Sequence, residues 1–125
     1  MKIPAQYLPV MPYLIVNDSR LFLDFAIKVF KAEEQHLSRY EDGQVQHGEL
    51  RIGQAVIMFS QATEQWKNKP ASLFLYVENV DTTYEAALHH GAVSLMPPAE
   101  KDYGYNAGFE DPLGNQWWIV EGEKE

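Results

Sequence analysis

A histidine and two carboxylates are the side chains of this 125-residue sequence that are best suited to chemistry. His47 and Glu49 stand two positions apart in the stretch VQHGELRI, and alternate residues of a β-strand point to the same face of a sheet. Glu110 directly precedes the turn DPLGN near the C-terminus. One imidazole and two carboxylates can hold a divalent metal ion, but they also suit the polar rim of a solvated sheet face. We favour the rim, because nothing in the sequence makes the three side chains converge.

Other chemistries find little support in the sequence. It contains no cysteine, which excludes disulfides, thiolate metal sites and cysteine nucleophiles. No serine stands in a nucleophile-elbow context, and no glycine-rich phosphate loop occurs. A formal net charge of −8, from 18 acidic and 10 basic residues, argues against a nucleic-acid partner, which requires a basic patch. A neutral or cationic small molecule fits this charge better as a partner, and solubility alone is a simpler explanation of the charge.

The hydropathy pattern argues against a membrane protein. No apolar run approaches the length needed to span a bilayer. Prolines interrupt the N-terminal stretch MKIPAQYLPVMPYLIV, where a signal peptide requires an uninterrupted apolar segment. We therefore expect a soluble, cytoplasmic protein that has no membrane partner.

The two halves of the sequence repeat each other at an offset of 61 residues. PYLIVND and LFLYVENVD are apolar strands that each run into a helix start, and the offset places Val16 over Val77. The same offset places GELRIGQAVIMF over FEDPLGNQWWIV, with Gly53 over Gly114. One offset that serves a strand, a helix and a turn indicates a duplicated unit. Residues 1–125 are predicted to form a single domain, with unit one at about 11–62, a polar linker at about 63–71 and unit two at about 72–121.

Each unit is predicted to contain a strand, a helix and three further strands. The first helix begins at a cap on Asp18 or Ser19. The second covers about 80–90, begins at a cap on Asn79 or Asp81 and ends before Gly91. In the second unit, the strand AVSLM is expected to stop at Pro97-Pro98 and to be followed by a loop to about residue 105.

Two such units, with PYLIVND, LYVENVD and FEDPLGNQWWIV at these places, resemble the vicinal oxygen chelate superfamily, which includes glyoxalase I, bleomycin-resistance proteins and extradiol dioxygenases. The resemblance covers about residues 11–121. It implies an α+β fold in which two βαβββ units form a curved, mixed sheet that encloses a cavity, with the helices outside. It also implies a homodimer.

Strand alternation then assigns each residue to the helix side or the cavity side of the sheet. We expect Trp117 to face the second helix and Trp118 to face the cavity. In the first unit we expect Val56 and Met58 to face the helix, which leaves Phe59 in the cavity. The loop EKDYGYNAG adds Tyr103 at the cavity mouth. The expected ligand-binding residues are Tyr13, His47, Glu49, Phe59, Phe74, Tyr76, Tyr103, Glu110 and Trp118.

The resemblance also indicates which positions of this sequence would hold a metal ion. In metal-dependent members, the ligands stand at the start of the first strand of each unit and on its last strand, four positions after the turn glycine. The corresponding residues here are Met11, Ile57, Ser72 and Trp118. None of the four is a usual ligand for a divalent ion, which prefers imidazole or carboxylate. We therefore expect neither a metal nor another cofactor.

The sequence thus predicts a glyoxalase-like or bleomycin-resistance-like binding protein that holds a planar or cationic ligand in an aromatic, acidic cavity without a metal. One alternative is a metal-dependent lyase, isomerase or dioxygenase of the glyoxalase type, with His47, Glu49 and Glu110 in an unusual metal site. A purely structural homodimer is the third possibility, and the aromatic cavity wall argues against it.

Overall fold

The computed structural model describes residues 1–123, and the order of strand, helix and three strands occurs in it twice. The elements are β1 Tyr13–Val16, α1 Ser19–Phe30, β2 Glu33–Arg39, β3 Val45–Ile52, β4 Ala55–Gln61, β5 Ser72–Val77, α2 Val80–His89, β6 Val93–Lys101, β7 Gly104–Glu110 and β8 Gln116–Glu121. The predicted α+β fold of two βαβββ units is confirmed.

The chain divides into two compact units, Met1–Lys69 and Pro70–Glu125. Each contains a four-stranded sheet, in the order β1-β4-β3-β2 and β5-β8-β7-β6 respectively. In both units the first strand pairs in parallel with the last, and the other neighbours are antiparallel. Both sheets are therefore mixed, because the helix carries the chain to the far edge of the sheet and the last strand returns beside the first.

Both helices begin at a side-chain cap. The Asp18 carboxylate accepts a hydrogen bond from the Leu21 backbone N–H, and the Asn79 amide oxygen accepts one from Thr82. A second acceptor reaches each helix start from the last strand of its own sheet. Gln61 Oε1 accepts from Ser19 N–H at 2.9 Å, and Glu121 Oε2 accepts from Val80 N–H at 2.8 Å. These bonds mark the sheet face on which each helix lies.

In the first unit, α1 covers the face that carries Leu14, Ile57 and Phe59. The Phe22 ring of α1 lies 5.0 Å from the Phe59 ring, and both side chains are fully buried. The expectation that Phe59 faces a ligand is therefore wrong, and so is the expectation that Met58 faces the helix.

The reason is that the first unit has one residue more than the second between paired positions of its first and last strands. Met58 pairs with Tyr13 as Trp118 pairs with Phe74, so the offset between the last strands is 60, whereas it is 61 between the first strands. The chain advances 45 positions from Tyr13 to Met58 but 44 positions from Phe74 to Trp118. A slip of one residue in a strand moves every side chain to the opposite face.

In the second unit, Trp117 faces the helix as expected, and Trp118 lies on the opposite face of the sheet. Trp117 and Ile119 are each 1% exposed, and Glu121, two positions further along the same face, reaches the start of α2. Phe109 pairs with Trp117 across the sheet and is fully buried too. Trp118, on the opposite face, is only partly buried.

The turn before β8 is organised by one buried carboxylate. Asp111 Oδ1 accepts hydrogen bonds from the backbone N–H groups of Leu113 and Asn115, at 2.8 and 3.0 Å. Its Oδ2 accepts from Asn115 Nδ2 at 3.0 Å and from Trp117 Nε1 at 2.9 Å. Gly114 has a φ of 93°, the left-handed conformation that favours glycine. The Asp111 carboxylate thus joins the turn to the buried side chain of Trp117.

The strand β6 does not stop at its prolines, which corrects the predicted loop. It runs through Pro97 and Pro98 to Lys101, with a break in register between Met96 and Ala99. Because β6 is an edge strand, a proline there removes no ladder hydrogen bond on its open side. Tyr105 consequently belongs to β7, and its hydroxyl donates to Asp81 of α2 at 2.7 Å.

Neither described helix is long and apolar enough to cross a membrane.

Candidate functional site

Three of the predicted site residues meet on the face of the first sheet that points away from α1. The Tyr13 hydroxyl of β1 lies 3.1 Å from His47 Nδ1, and His47 Nε2 lies 2.9 Å from Glu49 Oε2. The tyrosine and histidine rings are 5.7 Å apart. Tyr13 is 48% exposed, whereas Glu49 is only 3% exposed. The three side chains therefore form a hydrogen-bonded chain that runs from the surface to a buried carboxylate.

The burial of Glu49 corrects the interpretation of this strand as a solvated rim. Tyr7 donates its hydroxyl to Glu49 Oε2 at 3.0 Å, and Gln35 donates its Nε2 to Oε1 at 3.0 Å. Arg51 in turn donates to Gln35 Oε1 at 2.6 Å and holds that amide in place. Sequence reasoning missed Tyr7 and Gln35, because they stand 42 and 14 positions away from Glu49 and no local pattern links them to it.

Hydrogen bonding sets the charge of this site. Burial by itself raises the pKa of the Glu49 carboxyl, but the hydrogen bonds from Gln35, His47 and Tyr7 outweigh burial and hold the pKa below its ordinary value. Glu49 is therefore ionised at neutral pH. The hydrogen bond to this carboxylate, together with burial and the negative charge, raises the pKa of the Tyr7 hydroxyl.

Glu49→Gln is expected to lower the free energy of unfolding at neutral pH by about 1.5 to 3 kcal/mol, the range for a hydrogen bond to a charged group. Because the pKa of Glu49 is lower in the folded than in the unfolded protein, its stabilisation is present above the unfolded pKa and is lost as the pH falls through the folded pKa. The stability difference between the two proteins should shrink below about pH 4, measured by urea unfolding at several pH values.

The control for this measurement is Glu34→Gln, which removes an exposed carboxylate from the neighbouring strand β2. It should leave stability nearly unchanged across the same range. A stability deficit of Glu49→Gln that stays constant down to about pH 3 would contradict the lowered pKa.

In the second unit, aromatic side chains stand on the face that points away from α2. Phe74 is 58% exposed and Tyr76 is 68% exposed, and their rings lie 5.7 Å apart. Trp118 is the strand partner of Phe74, and its Nε1 lies 3.4 Å from Ser72 Oγ. The indole lies against Gly108, where any larger residue would collide with it. We call Phe74, Tyr76 and Trp118 the aromatic face.

The two remaining predicted residues of this unit lie at different places. Glu110 is partly exposed and pairs with Gln116, on the same sheet face as Trp118. Tyr103 stands in the turn between β6 and β7 and is 61% exposed. It lines an open cleft of about 530 Å³ formed by residues 100–105 and 121–123, which include four acidic side chains. The structure thus puts Glu110 beside the aromatic face and Tyr103 in an acidic cleft.

The residues at the family's metal positions do not fit a divalent ion. The corrected offset replaces Ile57 by Met58 as the equivalent of Trp118, and Met11 and Ser72 keep their places. A thioether, a hydroxyl and an indole are not ligands that hold such an ion. Within residues 1–123, no three His, Asp or Glu side chains are grouped as a metal site requires. His47 and Glu49 are in contact with each other instead.

Comparisons with known proteins agree with this fold. The model of the family described as "Glyoxalase/Bleomycin resistance protein/Dioxygenase superfamily" matches residues 7–119. The protein Mb0911c of Mycobacterium bovis is 27% identical over an alignment 126 positions long, which covers 91% of this chain and 83% of that protein.

Two solved structures have the same fold. TioX from Micromonospora sp. ML1 is 18% identical, with 92% of this chain and 98% of that chain covered and a TM-score of 0.76. A glyoxalase/bleomycin resistance protein/dioxygenase family enzyme from Burkholderia phytofirmans PsJN is 21% identical, with 89% and 95% covered and a TM-score of 0.72. At these identities the likeness concerns the fold.

Proposed function

Because this chain belongs to the glyoxalase/bleomycin resistance protein/dioxygenase superfamily, we propose that it is a small-molecule binding protein that holds a planar or cationic ligand without a metal. The aromatic face of the second unit carries this proposal. Two large aromatic side chains that are more than half exposed, next to a third that is partly exposed, offer ring faces against which a flat ligand can stack. An aromatic pair contributes about 0.5 to 1.5 kcal/mol beyond the burial of its area.

Charge supports the cationic part of the proposal. The chain has a formal net charge of −8, so its field favours a positive ligand over a negative one. Glu110 stands on the sheet face of Trp118 and can pair with a positive group on a stacked ligand. The faces of Phe74, Tyr76 and Trp118 also attract cations, because an aromatic ring is negative on its face.

The experiment is a thermal-shift screen of aromatic metabolites, planar cationic drugs and thiol conjugates, with EDTA present. A ligand that binds the native state raises the melting temperature. For each hit, Trp118→Ala should weaken binding about tenfold, because it removes one stacking partner together with its buried area. Titration followed by tryptophan fluorescence measures the affinity.

The matched control is Trp66→Ala, which removes an indole that is 61% exposed in the first unit, outside the aromatic face. It should leave the affinity unchanged. Equal losses in the two variants would contradict the proposal. One tightly bound divalent ion per chain, lost in His47→Ala, would also contradict it and would support the metal-dependent lyase, isomerase or dioxygenase instead.

We propose in addition that the protein works in the cytoplasm as a homodimer. The absence of cysteine suits a reducing compartment, and the family resemblance supports the dimer. Light scattering coupled to gel filtration measures the mass in solution. A monomer at micromolar concentration would contradict the proposed assembly.

A further inference from the structure

The side chains of Tyr13, His47 and Glu49 stand in the order of a nucleophile, a base and a group that orients the base. The two joining distances, 3.1 and 2.9 Å, lie within the hydrogen-bond reach that such triads require. We propose that this triad is a metal-independent acyl-transfer site, in which the Tyr13 hydroxyl attacks the carbonyl carbon of an ester or thioester. The site belongs to the first unit, so the proposal does not depend on ligand binding at the aromatic face.

The positions of the protons follow from the hydrogen bonds. An ionised carboxylate only accepts, so the hydrogen between Glu49 and His47 is on His47 Nε2. When the imidazole is neutral, its Nδ1 lone pair accepts the hydrogen bond from the Tyr13 hydroxyl. In this tautomer His47 is placed to remove the phenolic proton.

The chemical step is balanced within this set of groups. The Tyr13 oxygen forms a bond to the acyl carbon, and its proton passes to His47 Nδ1. The bond from the acyl carbon to the alcohol or thiol breaks, and the electron pair leaves with that oxygen or sulfur, which takes the proton from His47. The products are acyl-tyrosine and a free alcohol or thiol. Glu49 stabilises the imidazolium that exists between the two proton transfers.

The surroundings fit these roles. Tyr13 is half exposed and can meet a substrate, whereas Glu49 is buried and cannot. Both Glu49 oxygens are held by Tyr7 and Gln35, so the carboxylate has little freedom to turn away from His47. Glu49 is therefore a positioning residue, and Tyr13 and His47 are the catalytic residues.

The test uses the whole protein in EDTA with p-nitrophenyl acetate as the acyl donor. A rapid release of p-nitrophenolate, close to one equivalent per chain, is expected to accompany the gain of one acetyl group, located on Tyr13 by peptide mass spectrometry. Tyr76 is an internal control, because it is 68% exposed and, among residues 1–123, makes no hydrogen bond to a histidine. Acetylation that follows exposure, with Tyr76 ahead of Tyr13, would overturn the proposal.

Variants separate the roles of the triad. Tyr13→Phe should abolish the rapid phase, and His47→Gln should slow acetylation of Tyr13 by at least ~100-fold, as the loss of a general base does. His36→Gln is the matched control, because its exposed imidazole lies 6.0 Å from the His47 ring and outside the triad. An equal effect of His36→Gln and His47→Gln would overturn the proposal.

The role of Glu49 has a spectroscopic readout. In the wild-type protein, imidazole nitrogen chemical shifts should show the Nε2-protonated tautomer of His47. Glu49→Gln should change the tautomer population and slow acetylation, while circular dichroism confirms that the variant is folded. Slower acetylation with an unchanged His47 tautomer would contradict the positioning role, and unchanged acetylation of Tyr13 would contradict the triad.

Discussion

Trp117→Ala is expected to lower the free energy of unfolding by about 3 to 5 kcal/mol, the range for truncation of a buried aromatic side chain. Trp117 is 1% exposed and packs on the helix side of its sheet, with Phe109 as its strand partner. Its removal creates a cavity and leaves Asp111 without the hydrogen bond from Nε1. Urea unfolding followed by circular dichroism measures the change.

Trp118→Ala is the matched control, since it removes the same side chain one position further along the same strand. Trp118 is only partly buried, and the expected loss is about 1 kcal/mol. Trp117→Phe, which keeps an aromatic ring at the buried position, should fall between the two alanine variants. If the alanine substitution at 118 costs more than the one at 117, the assignment of faces in the second sheet is wrong.

The faces of β8 could be predicted from the sequence because one short segment contains all the information that is needed. The turn glycine Gly114, the alternation of side chains and the buried Trp117 lie within a few residues of one another. The two helix starts were predictable for the same reason, since Asp18 and Asn79 cap residues three positions away.

The side of the sheet on which Phe59 lies could not be predicted from a short segment. It was inferred by moving the second unit onto the first at an offset of 61, which assumes that the two units have the same length from their first strand to their last. The first unit has one residue more than the second between its paired first and last strands, so the offset of the last strands becomes 60. A difference of one residue is invisible in the hydrophobic pattern of AVIMF, because both faces of that strand are apolar.

The candidate site was predicted only in part. Strand alternation placed His47 and Glu49 on one face, which the structure confirms. The burial of Glu49 depends on Tyr7 from the N-terminal segment and on Gln35 from β2. These contacts are products of tertiary structure, because no periodicity within β3 refers to them. The path of β6 through two prolines is similar, because it depends on the edge position of that strand in the sheet.

Asp111→Ala is expected to lower the free energy of unfolding by about 3 to 5 kcal/mol, although it removes few atoms. The Asp111 carboxylate is 3% exposed and accepts four hydrogen bonds. Alanine leaves their donors, which belong to Leu113, Asn115 and Trp117, without this acceptor in a buried turn. Each unsatisfied buried donor costs about 1 to 3 kcal/mol, part of which is recovered when water enters the turn.

Asp111→Asn separates hydrogen bonding from the loss of side-chain volume. Asparagine retains one oxygen, which can accept from the backbone N–H groups of Leu113 and Asn115, but its NH₂ group would face the donor Trp117 Nε1. An intermediate loss of stability is therefore expected. A double-mutant cycle of Asp111→Ala and Trp117→Phe should show a coupling of about 1 kcal/mol or more. Strictly additive losses would contradict this coupling, because they would mean that the hydrogen bond from Trp117 Nε1 to Asp111 Oδ2 does not link the stability of the turn to that of the buried tryptophan.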